Sequence, residues 1–213
     1  MTIRLAVPAY FHPERDARTW ARLAERAPGV GLVVVNPCSG VGDGTDPAYA
    51  ALRSGPWRPL LAGYVDTAYA TRPLTEVVAE VVAYRRRYGV DAVFADQVTS
   101  GEAPLPYYRE LAMRLRGAGA TRIVLNPGTV PHPGYLELAD VVVTFEDDAA
   151  AYERWSPPAV RGPAATCHLV HDAPPATHRA VLATAAGRGA GYAFVTDRRM
   201  PDPWGGLPAG WGR

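Results

Sequence analysis

The sequence predicts an α/β chain folded as a compact single-domain (β/α)8 TIM-type barrel. Three observations predict it: short apolar runs rich in β-branched residues recur along the chain, segments with helical spacing lie between them, and the runs number eight. A continuous apolar run, as opposed to an alternating one, suits a parallel strand covered on both faces, and eight strands alternating with helices close a parallel sheet on itself. A doubly wound open sheet is the alternative with the same local pattern.

The first run, "IRLAVPAYF" at 3–11, is followed by helical spacing over 13–27. "GLVVVNP" at 31–37 precedes a short helical segment at 47–54, and "PLLAGYVDT" at 59–67 leads into 72–88, where Leu74, Val77, Val78, Val81 and Val82 mark one face. "VDAVFADQ" at 90–97 and a helix over 106–118 make the fourth unit. "TRIVLNPG" at 121–128 and "VVVTFED" at 141–147 are followed by short segments at 133–139 and 148–156. "TCHLVHD" at 166–172 with a helix at 175–187, and "GYAFVTD" at 191–197, complete the set. The runs start 20 to 31 residues apart. That is short for a fold of about 250 residues, so the outer ring should be lean and the fifth and sixth helices single turns. Residues 198–213, rich in Pro and Gly, are expected as an irregular tail over one barrel end, and the single domain spans 1–213.

Composition narrows the function. With 22 basic and 21 acidic residues among 213, the net charge of +1 offers no field for nucleic acid or a membrane. Every basic side chain is arginine, which excludes Schiff-base lysine chemistry. Cys38 and Cys167 are expected to be reduced, since two distant cysteines make neither a zinc motif nor a disulfide framework. The N-terminus reads as a strand and no run of about 18 apolar residues occurs, so the chain as given is expected to be cytoplasmic, or extracellular if a leader was removed. Nothing indicates an oligomeric state.

In a barrel of this type all strand C-termini converge on one face, which carries the chemistry. Here that face receives Tyr10, His12, Asn36, Tyr64, Asp66, Asp96, Gln97, Asn126, Glu146, His171, Asp172, Thr196 and Asp197. Asp96 and Glu146 at one mouth are the two carboxylates a glycosidic cleavage requires; they could equally be strand-end acids satisfied by loop amides or arginine. Isolated in an apolar strand end, such a charge would be expensive to desolvate. "SGVGDG" at 39–44 lacks a Walker lysine and full dinucleotide spacing, so it reads as a flexible loop over the mouth. His171, Asp172, Asp96 and Glu146 form no ligand motif, and no metal is expected. Tyr10, Tyr64, Trp204 and Trp211 could stack on sugar rings, or the tryptophans could pack the tail. Arg85, Arg86 and Arg87 read as the solvated end of a helix. No GxSxG elbow is present.

The ordered motifs "PAYF", "VVVNPCSGVGDG", "LAGYVDTAYATR", "YGVDAVFADQ", "IVLNPG", "ADVVVTFED" and "WGGLPAGW", from residue 7 to 211, resemble the spherulin 4 family. That family is associated with glycoside hydrolase family 135, which includes endo-α-1,4-N-acetylgalactosaminidases. The resemblance implies a groove across the C-terminal barrel face and no cofactor. Asp96 of "FADQ" would be nucleophile or transition-state stabiliser, and Glu146 of "TFED" general acid and base. The family usually has an Asp-Glu pair after strand 4, where this chain has Gln97. An amide orients a sugar hydroxyl but cannot exchange a proton as an acid does.

The expected partner is a polysaccharide or oligosaccharide, cleaved at α-1,4-linked N-acetylgalactosamine or galactosamine by a two-carboxylate, retaining mechanism. Substrate contacts are expected from Tyr10, His12, Asn36, Tyr64, Asp66, Gln97, Asn126, His171, Asp172 and Asp197. The alternatives are a carbohydrate-binding protein weakened by Gln97, and a metal-assisted hydrolase or deacetylase using His171 and Asp172.

Overall fold

In the computed structural model, which describes residues 3–26, 29–54 and 60–211, the eight apolar runs form eight strands closed in sequence order. They are β1 (Arg4–Ala9), β2 (Val30–Val35), β3 (Leu61–Asp66), β4 (Ala92–Asp96), β5 (Arg122–Leu125), β6 (Val141–Asp148), β7 (Ala165–His171) and β8 (Tyr192–Val195). All neighbours pair in parallel, and β1 pairs with β8, so the sheet is a barrel and the open alternative falls. Val7, Val33, Val65, Ile123, Val142 and Val143 have no exposed surface, as runs covered on both faces require.

The ladders differ in length. β6 follows β7 from Val141 opposite Ala165 to Asp148 opposite His171. Among the described residues, β5 meets β6 only at Val124–Val141 and Leu125–Val142, and β8 meets β1 only at Tyr192–Arg4 and Ala193–Leu5.

The outer ring contains α1 (Ala17–Glu25), α2 (Pro47–Ala51), α3 (Leu74–Tyr88), α4 (Leu105–Gly117), α5 (Ala149–Arg154) and α6 (His178–Gly187). It is lean: a single 3-10 stretch, Pro133–Glu137, connects β5 to β6, and α5 has six residues. α3 buries Val77, Val81, Tyr84 and Tyr88, one stripe of a 3.6-residue period, and ends at Gly89 with φ of 63°. Its Tyr84 ring lies so close to Gly63 of β3 that a Cβ there would stand 2.6 Å from the ring.

One surface reading changes in the folded chain and another gains a contact. The 39–44 loop is fastened to α3: Val41 N–H donates to Glu80 (2.8 Å), and the Arg87 guanidinium donates to the Gly42 and Gly44 carbonyls. Arg85 and Arg86 are exposed at the end of α3, as expected, and Arg85 also donates to the Ala118 carbonyl (3.1 Å). Cys38 is exposed, Cys167 buried, and both are free thiols. In the tail, Trp204 and Leu207 are buried, the Tyr10 N–H donates to the Trp204 carbonyl (3.2 Å), and the Trp211 indole donates to the Arg22 carbonyl on α1 (2.8 Å).

Candidate active site

Three adjacent strands deliver the central groups. Asp96 ends β4, Asn126 follows β5 with its N–H on the Ala95 carbonyl (2.8 Å), and Glu146 stands on β6 beyond the point where β5 stops. There its N–H donates to the Gly128 carbonyl (2.9 Å). The Asn126 Nδ2 donates to Asp96 Oδ1 at 2.7 Å and to Glu146 Oε2 at 2.5 Å. Its Oδ1 accepts from the Gly128 N–H at 3.0 Å, which fixes which way the amide faces. Both amide hydrogens therefore serve carboxylates, and this side chain ties the two acids together.

These donors explain how a strand tip tolerates a carboxylate. Asp96 accepts from Asn126, the Tyr64 hydroxyl and the Gln97 backbone N–H. Glu146 accepts from Asn126 and, at 3.3 Å, from the Trp204 indole. Burial still dominates and pushes the Asp96 carboxyl above its ordinary value. Burial raises Glu146 as well, and the charge of Asp96 adds to it. Asp96 thus has the richer set of donors for an anion, whereas Glu146 faces a neighbouring charge that favours its protonated form. Tyr10 and Tyr64 meet edge to face with centroids 5.7 Å apart, and burial, then the charge of Asp96, keeps both phenols neutral.

The acids open into a cleft of about 470 Å³ lined by Tyr10, Tyr69, Gln97, Val98, Pro127, Gly128, His171 and tail residues 200–204, besides Asp96, Asn126 and Glu146. His171 ends β7, its ring edge-on to Trp204 at 6.2 Å, and its Nδ1 is buried without a hydrogen-bond partner among the described residues.

The remaining strand-end residues stand outside this lining and hold loops. His12 pairs with Asp46 (2.8 Å) and accepts from the Glu14 and Arg15 N–H groups. Asn36 accepts from Gly40 N–H (2.7 Å), Asp66 from Ala68 N–H (2.5 Å) and Asp197 from Ala209 N–H (2.8 Å). Asp172 pairs with Arg199 (2.6 Å) and does not line the cleft. Among the described residues no group of three or more His, Cys, Asp or Glu could hold a metal ion.

Sequence reasoning missed two contributors. Thr67, fully buried, reaches the carbonyls of Asp96 (3.0 Å) and Gln97 (2.8 Å) and meets the Tyr108 hydroxyl (3.2 Å), clamping the turn after β3 to the turn after β4. Tyr69 lies on that first turn, 62% exposed at the cleft. Nothing local in "DTAYATR" marks either.

Comparison with known proteins bears on the fold and the family. Spherulin-4 of Physarum polycephalum is 31% identical over 152 residues, 68% of this chain and 45% of that protein, so the match spans less than half the relative's length. Sph3 of Aspergillus clavatus, solved in complex with GalNAc, superposes with a TM-score of 0.82 at 27% identity, covering 99% of this chain and 94% of that one. A phosphoribosyl anthranilate isomerase from Thermus thermophilus (TM-score 0.52, 14% identity, 98% and 93% covered) shares the barrel alone. The profile of Spherulation-specific family 4 matches residues 4–213, and the chain belongs to that family.

Proposed function

We propose that the protein is a glycoside hydrolase that cleaves within α-1,4-linked N-acetylgalactosamine or galactosamine polysaccharide with retention of configuration. The observation that carries this reading is the Asp96–Asn126–Glu146 bridge. Bonds of 2.7 and 2.5 Å to one nitrogen bring the facing oxygens, Asp96 Oδ1 and Glu146 Oε2, to within 5.2 Å of each other, the sum of those lengths. Retaining enzymes space their carboxyls about 5–5.5 Å apart, and inverting ones about 6.5–9.5 Å to admit a water. The likeness to Sph3, solved with GalNAc, supports the choice of sugar.

In this mechanism the Asp96 carboxylate attacks the anomeric carbon while Glu146 gives its proton to the departing glycosidic oxygen, so the carbon–oxygen bond breaks as the Asp96 ester forms. Glu146, now an anion, takes a proton from water. The water oxygen attacks the same carbon, expels Asp96 and restores the starting configuration. One negative charge passes from Asp96 to Glu146 and back, and Asn126 faces both of its stations with a donor. Tyr64 and the Gln97 N–H steady the charge on Asp96, and the Trp204 indole steadies it on Glu146.

A second reading is a carbohydrate-binding protein without turnover. The observation that favours it is Gln97 beside Asp96 in the cleft, an amide that cannot relay a proton. Product release from α-1,4-linked N-acetylgalactosamine and galactosamine oligomers separates the two, with proton NMR of the first product formed. The proposed function expects an α-anomer, lost in both Asp96→Asn and Glu146→Gln. An initial β-anomer defeats the retaining mechanism, and binding without products establishes the second reading.

A further inference from the structure

We propose that Tyr69 is the stacking platform of a second sugar subsite beside the Asp96–Glu146 pair, so that the cleft grips a chain by more than the residue being cleaved. This rests on the glycan reading above and adds the feature that selects a polymer.

Ala68, Tyr69 and Ala70 have φ of 46°, 53° and 70°, three consecutive non-glycine residues in the left-handed region. Steric contact between Cβ and the backbone disfavours each of them, and glycine or asparagine would fit such a turn with less strain. The turn is nevertheless held firmly. Ala68 N–H donates to Asp66, the Thr71 hydroxyl to the Ala68 carbonyl (2.6 Å), and Tyr69 N–H to the Gln97 carbonyl (2.8 Å). The last bond joins Tyr69 to the residue that follows Asp96, so the ring's base is fixed relative to the proposed nucleophile.

The strained backbone presents a large aromatic side chain to solvent, 62% exposed on the cleft wall. Among the described residues its hydroxyl has no hydrogen-bond partner and its ring no aromatic neighbour, unlike Tyr10, Tyr64, Tyr84 or Tyr108. Of the three residues Ala70 packs against the core and Tyr69 does not, so the strain at Tyr69 is explained by what its ring offers outward. An aromatic face matches the apolar face of a sugar ring. In a galacto-configured ring the axial O4 leaves the hydrogens of C3, C4, C5 and C6 together on one side, a surface suited to such a platform.

The test measures KM and kcat on α-1,4-linked N-acetylgalactosamine oligomers of increasing length for the unmodified protein and for Tyr69→Phe, Tyr69→Ala and Tyr69→Asn. Tyr69→Phe should keep oligomer KM within about twofold, because the ring remains. Tyr69→Ala should raise it about tenfold, with kcat changed by no more than about twofold and an unshifted pH profile. Tyr69→Asn, which suits the left-handed backbone, should melt no lower than the unmodified protein and lose the same affinity, which separates the ring from the turn. Unchanged oligomer KM in Tyr69→Ala and Tyr69→Asn, with normal cleavage by the unmodified protein, overturns this inference alone. An unmodified protein that neither binds nor cleaves the oligomers overturns the glycan reading and this inference with it.

Discussion

Asn126→Ala removes two donors at once, those aimed at Asp96 and at Glu146. A hydrogen bond to a charged group is worth about 1.5–3 kcal/mol, a factor of roughly 10 to 150 in an equilibrium or rate. Ionising Asp96 in the free protein becomes harder by that amount, because burial already opposes it and only the Tyr64 and Gln97 donors remain. Glu146 holds its proton to higher pH for the same reason, with the Trp204 indole as its remaining donor. Both limbs of the bell-shaped profile of kcat/KM should therefore move to higher pH together. If the proposed hydrolysis holds, the variant should fall about 10- to 150-fold below the unmodified protein on the acidic side, and the deficit should shrink towards alkaline pH. The assay is kcat and KM, each measured against pH on one oligomer, with a melting curve to confirm folding. A loss of equal size at every pH, confined to KM, would refute the bridging role and make Asn126 a plain contact to substrate.

Three further outcomes follow from the geometry. The Asp96 carboxyl is raised by burial, so its proton is held more tightly in the folded than in the unfolded chain, and stability is lost as pH rises from the unfolded value through the folded one. Asp96→Asn should therefore raise Tm at pH 7, and the gain should vanish below about pH 3.5, where the acid is neutral in both states. Thr67→Val leaves the Asp96 and Gln97 carbonyls without their shared hydroxyl and should cost about 1–3 kcal/mol in urea unfolding. Gly63→Ala drives a methyl into the Tyr84 ring and should cost a similar 1–3 kcal/mol or so, read as a lower urea midpoint.

The barrel was legible because its signal is repetitive: eight apolar runs announce buried parallel strands whatever their detailed contacts. Asp96 and Glu146 were legible for a related reason, since the fold sends every strand end to one face. That argument treats all strand ends alike, and so it could not separate Asp96 from Asp66, Asp172 or Asp197, whose oxygens are engaged by Ala68, Arg199 and Ala209. Asn126 could be placed at the mouth, but its position between two acids 30 and 20 residues away depends on how β4, β5 and β6 align. Tyr69 was hidden because alanine and tyrosine do not advertise a left-handed turn, and that turn is imposed by bonds to Asp66 and Gln97. The 39–44 glycines suggested looseness, whereas Glu80 and Arg87 on a helix some forty residues later restrain them.

The two short ladders, β5 with β6 and β8 with β1, divide the ring into two arcs. Asp96 and Asn126 belong to the arc β1–β5, Glu146 and His171 to the arc β6–β8. Under the proposed function a sugar seated on both acids would act as a clamp between the arcs, and its binding would stabilise the closed ring against the opening it prevents. Amide hydrogen exchange at Val124, Leu125, Val141 and Val142 should slow on ligand binding by more than exchange in the long β6–β7 ladder. In the free protein, warming should part the arcs at those seams and separate Asp96 from Glu146 while each arc still retains its strands.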